Sequence, residues 1–270
     1  RAILTNVGAM TALEQLNSTN KRLRTAQLRI TTGLKVIGPN EDAGTFQIAQ
    51  RLHGDIAGTK AVKTALANGE ATVNVAISAG KAIADLLVEM KEIIVQANQA
   101  DLDTASRTAL DSEFRALREQ VSTIVATAEF NSVNLIASGA NTTSVLGTVD
   151  GRIITVSAQS MDTTTFGIAS VDLTTSAGAS TALTSIDSAI TSVSDKLASL
   201  GSTANRIEVQ TEFTTSLIDI LTAGLGSLVD ADMAEEAASL TALQVQQQLG
   251  AQSISIANAS PGIIPSLFQG

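Results

Sequence analysis

The chain has 270 residues, of which 44% are apolar and only 2% are aromatic, with six Phe and neither Trp nor Tyr. It contains no Cys and one His, which excludes disulfides, thiolate metal sites and a cysteine nucleophile, so we expect no cofactor or metal. The formal net charge of −9 argues against nucleic-acid binding. No apolar run approaches the roughly 18 residues of a membrane span, so we expect no membrane insertion.

The first predicted element is a helix over residues 9–30, in which apolar residues recur at alternating spacings of three and four. This spacing places them on the a and d positions of a coiled-coil-like stripe, which two polar residues interrupt. The stripe consists of Leu13, Leu16, Leu23 and Ile30, with the polar Asn20 and Gln27 among them.

A longer stripe with the same spacing follows and predicts a long second helix. Its members are Val62, Leu66, Gly69, Val73, Ala76, Gly80, Ile83, Leu87, Met90, Ile94 and Ala97. The segment DLDTASRT (101–108) then predicts a turn with Asp and Thr available as helix caps. A further helical stripe comes after it, made of Leu110, Phe114, Leu117, Val121, Ile124 and Ala128.

The middle of the chain, residues 138–180, is rich in Thr, Ser and Gly. Within it, SVLGTV and RIITVS flank Asp150-Gly151, a preferred two-residue turn between β-branched segments, which predicts a β-hairpin. This is the one β signal that we find in the sequence. The segment TSAGAS (175–180) is interpreted as a loop before the next helix.

That next helix carries an apolar stripe over about 45 residues, or about 68 Å of helix. Its positions are Leu183, Ile186, Ile190, Val193, Leu197, Leu200, Ala204, Ile207, Thr211, Thr214, Ile218, Leu221, Leu225 and Leu228. The last segment, residues 234–257, has two apolar stripes, so a single partner cannot cover it. The two stripes are Leu240, Leu243 and Ile254, and Val245, Leu249 and Ile256.

The two ends of the chain carry opposite charge. Residues 1–40 hold six basic residues against Glu14 alone, a net of +5, whereas residues 207–270 hold seven acidic residues and no Lys or Arg. Either these are two solvated faces, or the ends lie together within a subunit or between subunits. The complementary sets are Lys21, Arg22, Arg24 and Arg29 at one end and Asp230, Asp232, Glu235 and Glu236 at the other.

Together these patterns predict a mainly α-helical fold: an elongated, coiled-coil-like bundle or rod with a small β-hairpin region and paired terminal helices. No motif indicates catalysis. The four C-terminal acidic residues could imitate a metal cluster, but the acidic first turn of a helix is the favoured interpretation. The segment GLGSLV (224–229) lacks the third glycine and the preceding strand of a phosphate-binding loop.

Several segments of the chain resemble segments of bacterial flagellin that occur in the same order. RAILTNVGAMTALEQLN is similar to the flagellin N-terminus, and ITTGLKVIGPNEDAGTFQIAQRL (30–52) to the family's most recognisable segment. KEIIVQAN, LGSTANRIE, LVDADMAEE and LQVQQQLGAQSISIAN resemble further family segments. EFNSVNLI (129–136) is similar to EFNGVNLL, with Ser132 where glycine is usual. The ending departs at Gln269-Gly270, where a basic residue usually stands. The short chain resembles alphaproteobacterial flagellins.

The resemblance implies a structural subunit of the flagellar filament, not an enzyme, that is exported by the flagellar type III apparatus and polymerises outside the cell. It implies four kinds of partner: further copies of the chain, a filament cap protein, hook–filament junction proteins and a flagellar export chaperone. It also implies a division into layers. Segments 1–38 and 229–270 would form the inner tube, 39–137 and 181–228 the rod, and 138–180 the hairpin and outer surface.

The same resemblance suggests sites for assembly and modification. For inner assembly we expect Leu13, Leu16, Leu23, Leu240, Leu243 and Ile254. For contacts between subunits in the outer layer we expect Glu89, Glu92, Arg115 and Arg118. Candidate O-glycosylation sites are Thr142, Thr143, Thr163, Thr164 and Thr165.

Two alternatives share part of this pattern. A hook–filament junction protein would have similar terminal helices, but the segments 30–52 and 228–258 fit flagellin better. A flagellin-like protein for surface adhesion or ligand binding would use the Thr-rich surface at 138–180.

Overall fold

The computed structural model describes residues 6–259. In that part of the chain most residues are helical, as expected for a mainly α fold. The helices are α1 (Val7–Thr32), α2 (Ala43–Ala97), α3 (Thr104–Thr127), α4 (Ser176–Val229) and α5 (Met233–Ala259). The strands are β1 (Glu129–Phe130), β2 (Val133–Asn134), β3 (Thr143–Leu146) and β4 (Ile153–Val156).

The chain divides into two compact units. The terminal unit contains the residues up to Gly54 and those from Ile220 onward, and the central unit contains Asp55–Asp219. These boundaries follow contacts within one chain, so the assignment of segments to filament layers stays a prediction.

In the terminal unit, α1 begins and ends with recognisable caps. The side-chain oxygen of Asn6 accepts a hydrogen bond from the amide of Ala9 at 3.1 Å, which satisfies a donor of the first turn. The helix ends at Gly33, whose φ of 72° lies in the left-handed region and whose amide donates to the carbonyl of Arg29 at 2.8 Å.

Helices α1 and α5 form an antiparallel pair, which confirms the predicted pairing of the terminal helices. Asn6 donates to the carbonyl of Ala257, and farther along α1 the guanidinium of Arg29 meets the carboxylate of Glu236. Residue numbers therefore rise on α1 as they fall on α5. Leu23, Ala26 and Leu243 are buried in the seam between the two helices, and Leu240 packs against them.

The chain that follows α1 pairs with the short connection between α4 and α5. Leu34 and Asp230 form an isolated antiparallel bridge, the amide of Lys35 donates to Val229 and the amide of Ala231 donates to Gly33. Asp232 then caps α5, because its carboxylate accepts the amides at positions 234 and 235. The acidic residues Glu235 and Glu236 lie in the first turn of α5, as the sequence predicted.

The central unit contains a continuous hydrophobic core. All eleven residues of the stripe predicted between Val62 and Ala97 are buried, which confirms the heptad interpretation of α2. Asp103 caps α3 through the amide of Ser106, as expected for the predicted turn. The buried side chain of Arg107 donates to the carbonyls of Ala97 and Gln99, so it satisfies the end of α2.

Within the central unit, α2 and α4 run antiparallel. Lys91 pairs with Asp187 at 2.7 Å, and a Cβ on Gly80 would lie 2.8 Å from the side chain of Leu197. Residues earlier in α2 therefore lie beside residues later in α4, so the two helices run in opposite directions. Because Gly80 has no side chain, Leu197 and Met161 can approach the α2 backbone closely at this level.

Three buried hydroxyls in the central unit belong to Thr59, Thr72 and Thr214. Each donates to the carbonyl four residues earlier on its own helix, at 2.6, 2.9 and 2.7 Å respectively. A hydroxyl bonded in this way is satisfied without a partner on another helix, so it can be buried without the full cost of desolvation.

The predicted hairpin is present, but its turn differs from the prediction. Strand β3 pairs with β4 so that Val145 faces Ile154, and the strands are joined by six residues rather than two. The amide of Gly151 donates to the carbonyl of Thr148, and Gly151 has a φ of 87°. A four-residue turn that ends in a left-handed glycine replaces the two-residue turn. The register shifts by two, so no side chain changes face.

Three details of the sequence interpretation were wrong. A second small hairpin, β1–β2, lies where we expected no strand, and its turn places Asn131 and Ser132 at positive φ. The segment 176–180 is the first turn of α4 rather than a loop. At the other end of α4 the stripe ends on Val229, which is buried, whereas Leu228 is 37% exposed.

The Thr-rich segment after β4 also contributes more to the core than a surface loop would. Met161, Phe166, Ile168 and Leu173 are all buried in the central core. The carboxylate of Asp111 accepts the amide of Leu173 at 3.0 Å, which fixes this segment on α3. Only part of the 138–180 region is therefore exposed.

Helix α2 has an 18-residue window with a mean hydropathy of 1.4, of which 28% is buried. Among the described residues it is the one helix long and apolar enough to span a membrane. This corrects our expectation that no such stretch exists. One helix is weak evidence of membrane insertion, because core helices of soluble proteins pass the same test. The absence of membrane insertion stays a prediction.

Candidate functional site

The outer faces of the α1–α5 pair expose large apolar side chains that the seam does not use. On α1, Val7, Met10 and Leu13 are 71%, 62% and 51% exposed. On α5, Leu249 and Ile256 are 56% and 66% exposed. Full burial of one such side chain is worth about 1.5–3 kcal/mol. Another surface that covered these residues would therefore bind with a considerable free energy.

These exposed apolar residues lie at one end of the pair. Because α1 and α5 are antiparallel, the first turns of α1 lie beside the last turns of α5: Asn6 bonds to Ala257, and a Cβ on Gly250 would lie 3.1 Å from Leu16. We call residues 7–16 and 245–257 together the apolar end. Residues 21–30 and 230–236 together form the charged end.

At the charged end, one of the predicted ion pairs forms within the chain. Arg29 and Glu236 approach to 2.9 Å, with side chains 29% and 15% exposed. Lys21, Arg22 and Arg24 are exposed and have no ion-pair partner among residues 6–259.

Some acidic residues of the charged end have partners within the chain, and the carboxylates of others are free. Asp232 is engaged as the cap of α5, whereas Asp230 and Glu235 are exposed. The structure thus brings Arg29 and Glu236 together and leaves the other basic residues of this end unpaired within the chain.

The residues expected for inner assembly divide between the seam and the outer face. Leu23 and Leu243 are buried between α1 and α5, while Leu16, Leu240 and Ile254 are half-buried. Only Leu13 is largely exposed. The sequence analysis missed Val7 and Met10, whose spacing of three residues on α1 is the signal that could have identified them.

Between α1 and α5 there is also a polar contact. The side-chain amide of Gln247 donates to the side-chain oxygen of Asn20 at 2.6 Å. Asn20 is one of the two polar residues that interrupt the predicted stripe. A polar residue at such a position fixes the register of a helix pair at some cost in stability.

The residues expected to make outer contacts lie in the central unit. Glu89 and Glu92 are exposed on α2. Arg115 pairs with Asp111 at 2.6 Å, and Arg118 donates to the carbonyl of Ala169 at 2.7 Å, so both arginines already have partners within the chain. The structure does not bring these four residues together by a hydrogen bond or ion pair among the described residues.

The candidate glycosylation residues differ in accessibility. Thr142, Thr164 and Thr165 are exposed, while Thr143 and Thr163 are half-buried. Thr143 belongs to β3, and the hydroxyl of Thr165 donates to Asp162 at 2.5 Å.

Three aspartates of the central unit have a lowered pKa because they cap a helix or turn. At Asp103 the amide and then the hydroxyl of Ser106 lower the pKa. At Asp172 the hydroxyl and then the amide of Thr174 do so. Burial acts to raise the pKa of Asp162, but hydrogen bonds from the hydroxyl and amide of Thr165 outweigh it and leave the pKa lowered. Each carboxylate is therefore held in its charged form.

No group of three or more His, Cys, Asp or Glu side chains among the described residues is arranged to hold a metal ion. What the described chain presents instead is a helix pair with apolar outer faces in one unit and a large helical core in the other. Fold and surface together define an α-helical protein whose terminal helices are paired and incompletely covered.

Comparison with known proteins gives this class its family. Residues 3–142 match the bacterial flagellin N-terminal helical region, and residues 183–268 match the bacterial flagellin C-terminal helical region. The chain is 40% identical over 269 residues to flagellin FljK of Caulobacter vibrioides, which covers 99% of this chain and 98% of that protein. It is 35% identical over 283 residues to a flagellin of Brucella melitensis, with 100% and 99% of the two chains covered.

The chain belongs to the bacterial flagellin family, and its relatives in Caulobacter and Brucella are alphaproteobacterial. It is a structural subunit of the flagellar filament, the surface appendage that drives swimming. A structure described as that of a flagellar hook-associated protein from Vibrio parahaemolyticus matches with a TM-score of 0.59 and 12% identity, and covers 70% of this chain and 100% of that one. That likeness concerns the fold alone. Coverage of whole flagellins favours the filament subunit over a junction protein.

Proposed function

We propose that the apolar end of the terminal unit is the surface through which copies of this chain polymerise into the inner layer of the filament. One observation carries the proposal. The seam between α1 and α5 buries three apolar residues, whereas Val7, Met10, Leu13, Leu249 and Ile256 stay more than half exposed on its outer faces. Neighbouring copies are the partners that a filament supplies to such faces.

The charged end then selects how neighbouring copies approach. Lys21, Arg22 and Arg24 of one copy would face the free carboxylates of Asp230 and Glu235 on the next. An exposed ion pair contributes only about 0–1 kcal/mol, so these charges set orientation and rate more than affinity. The apolar end supplies most of the binding free energy.

The remaining segments follow from the same scheme. Residues 1–38 and 229–270 belong to the inner tube, 39–137 and 181–228 to the rod around it, and 138–180 to the hairpin and outer surface. Glu89, Glu92, Arg115 and Arg118 serve contacts between rods. Thr142, Thr164 and Thr165 are the accessible candidates for glycosylation. The chain acts without catalysis or cofactor.

The proposal extends to the route and the partners of assembly. The chain is secreted through the flagellar type III apparatus with a flagellar export chaperone, and it joins the filament beneath a cap protein. Hook–filament junction proteins provide the first layer on which it polymerises. Membership of the flagellin family supports these partners, and the exposed apolar residues of α5 are a surface that a chaperone could cover before assembly.

Two adjacent substitutions on α5 test the apolar end. Leu249 and Gln248 are both exposed, so a carboxylate at either position leaves the monomer folded. We expect Leu249→Glu to abolish polymerisation of purified monomers onto filament seeds, and Gln248→Glu to polymerise at nearly the wild-type rate. Light scattering and electron microscopy measure both. Normal growth of Leu249→Glu filaments would exclude the apolar end as the assembly surface.

A charge exchange tests the charged end. Arg22→Glu with Arg24→Glu should slow polymerisation at low salt, and Glu235→Lys should partly restore it. Glu236 is left unchanged because it already pairs with Arg29 within the chain. High salt should reduce the difference between the variants and the wild type. Equal rates for the double reversal and the wild type at low salt would remove the charged end from the proposal.

A further inference from the structure

The side chains of this protein that an oxidant attacks most readily are its four methionines. The chain contains no Cys, Trp or Tyr, so its sulfur chemistry is confined to the methionine thioethers. Met90 and Met161 are fully buried in the core of the central unit. Met10 and Met233 are 62% and 46% exposed. Accessibility therefore divides the methionines into two that are protected and two that can react.

The two accessible methionines lie in different chemical surroundings. Met10 belongs to the apolar end, where Val7 and Leu13 flank it at a spacing of three residues on α1 and are also more than half exposed. Met233 is the first residue of α5 and belongs to the charged end, close in sequence to the exposed Glu235. A change in the polarity of Met10 would therefore alter an apolar surface, whereas a change at Met233 would alter a surface that is already polar.

The backbone around Met10 is held in place independently of its side chain. The amide of Met10 donates to the carbonyl of Asn6 at 3.0 Å, and the side-chain amide of Asn6 donates to the carbonyl of Ala257 at 2.7 Å. The first turn of α1 is thus fixed within the helix and against α5. In the described chain the buried seam between the two helices consists of other residues. Oxidation of Met10 should accordingly leave the fold of the monomer intact.

Hydrogen peroxide converts an accessible thioether into a sulfoxide. A lone pair on Sδ attacks one peroxide oxygen, and the O–O bond breaks as the S–O bond forms. The departing hydroxide takes the proton from the transferred hydroxyl and becomes water, so the sulfur is oxidised and the peroxide is reduced. The product carries a hydrogen-bond acceptor where the thioether was apolar. Water satisfies this oxygen in the monomer, but an apolar surface laid over it could not.

We propose that Met10 is an oxidation site through which peroxide controls polymerisation. A chain that carries the thioether adds to the filament, and a chain that carries the sulfoxide adds slowly until the sulfoxide is reduced. Methionine sulfoxide reductases restore the thioether, so the modification is reversible. This inference rests on the proposed function, because it takes the apolar end as the surface that neighbouring copies cover. It adds a means of regulating that surface before a chain joins the filament.

Peroxide treatment of purified monomers tests the site. Mass spectrometry of peptides should show Met10 and Met233 oxidised roughly tenfold faster than Met90 and Met161, because burial shields the thioether. After removal of the peroxide, the monomers should elongate filament seeds roughly tenfold more slowly than untreated monomers, since the sulfoxide oxygen loses its hydration on burial. Circular dichroism checks that the helices of the treated monomer are intact.

Two matched variants assign the effect to one methionine. Leucine has a similar volume and cannot be oxidised, so Met10→Leu and Met233→Leu should both polymerise normally before treatment. After treatment Met10→Leu should keep its rate, whereas Met233→Leu should slow like the wild type. The reverse result would assign the effect to Met233 and overturn the proposal.

Enzymatic reduction of the sulfoxide tests whether the effect is reversible. Oxidised wild-type monomer is incubated with reductases for both sulfoxide epimers and a thiol reductant, and its elongation rate should return to that of untreated monomer. A rate that stays low after the mass of the Met10 peptide has returned to normal would show that other damage slows assembly, and the proposal would fail.

Reactivity in the filament separates this inference from the proposed function. Peroxide added to finished filaments should oxidise Met10 roughly tenfold more slowly than in monomers, because neighbouring copies cover it. If Met10 is protected in filaments but monomers oxidised at Met10 elongate normally, the apolar end remains the assembly surface and the oxidation site is overturned. Equal reactivity of Met10 in monomers and filaments, with normal polymerisation of Leu249→Glu, would overturn the proposed function itself.

Discussion

The central and terminal units differ in how completely each buries its own apolar residues. In the described chain, the core of the central unit contains 29 buried residues drawn from three helices, the hairpin and the segments on either side of it. The core cluster between α1 and α5 contains three. The central unit therefore completes its own core, whereas the terminal unit leaves much of its apolar surface exposed.

The contrast extends to the way each unit is specified. In the central unit the register of the helices follows from tight packing, as at Gly69 and Gly80, where side chains from other elements approach the α2 backbone. In the terminal unit polar contacts along the pair fix the register, among them Asn20 with Gln247 and Arg29 with Glu236. A small core needs such contacts because apolar packing alone allows several registers.

The two units should differ most in the free energy of unfolding that each loses when one of its leucines is truncated to alanine. Leu87→Ala opens a cavity in the central core and should lower the free energy of unfolding by about 2–5 kcal/mol. Leu243→Ala should cost the monomer less than about 2 kcal/mol, because surrounding solvent lets the thin seam collapse. Urea unfolding followed by circular dichroism measures both.

The same pair of variants should reverse its order in assembly. Leu243→Ala should slow polymerisation more than Leu87→Ala does at a temperature where both monomers are folded. A Leu243→Ala monomer that is as destabilised as Leu87→Ala would contradict the view that the seam is energetically minor before assembly.

A smaller effect should follow from two glycines in long helices of the central unit. A Cβ on Gly69 would overlap a methyl carbon of Val145, so Gly69→Ala should displace the hairpin and cost about 1–3 kcal/mol. Gly201→Ala meets no neighbour and should instead stabilise the chain by about 0.5–1 kcal/mol. Thermal unfolding of the two variants would show opposite shifts, and a destabilised Gly201→Ala would count against open space beside Gly201.

The ion pair of the terminal unit should contribute still less to the free energy of unfolding. A double-mutant cycle with Arg29→Ala and Glu236→Ala should give a coupling free energy of about 0.5–1 kcal/mol, since both side chains are partly exposed. The coupling should decrease in high salt. Arg22→Ala, which removes an unpaired charge, is the control and should leave monomer stability unchanged. Zero coupling at low salt would make the pair structurally incidental.

Acid should weaken the central unit through its capping aspartates, with the smallest effect per residue. The pKa of Asp172 lies below its ordinary value of 3.8, so the folded state binds the proton less tightly than the unfolded state. This stabilisation is fully present above pH 3.8 and is lost as the pH falls through the lowered pKa. Asp172→Asn should therefore flatten the decline of stability as the pH falls below 3.8. Urea midpoints at several pH values measure it, and an unchanged slope would contradict the assignment.

The central helices were predictable because a heptad stripe reports burial directly. Every position from Val62 to Ala97 on the stripe is buried, and Asp103 caps α3 where the turn was expected. The hairpin was predictable in existence but not in register, because the preference for a two-residue Asp-Gly turn lost to a longer turn with Gly151 in the left-handed region. Local turn chemistry is a weaker constraint than a long repeat.

The sequence did not predict the small hairpin β1–β2, because strands of two residues are too short to show a periodic pattern. Its turn places Ser132 at a φ of 63°, a conformation that favours glycine, and the flagellin pattern that this segment resembles has glycine there. A departure from that pattern was visible in the sequence, but the strain it implies was not. The start of α4 was missed for a related reason, since Ser, Ala and Gly at 176–180 are typical of loops as well as of first turns.

The candidate assembly surface was only partly predictable. A doubly apolar α5 indicated that several neighbours are needed, and Leu249 and Ile256 are indeed exposed. Which of two stripes faces the seam depends on the register of the pair, which the Asn20–Gln247 contact helps to set and which sequence spacing cannot supply.

The buried hydroxyls of Thr59, Thr72 and Thr214 have a mechanical consequence. Each is bonded to its own helix, so none of these hydroxyls ties one helix of the central unit to another. Adjoining helices therefore keep their register at these levels through packing alone, because a small shift of one helix along another would break none of these bonds. At these levels apolar contact resists separation of the helices, whereas the hydroxyl hydrogen bonds do not resist movement of one helix along another.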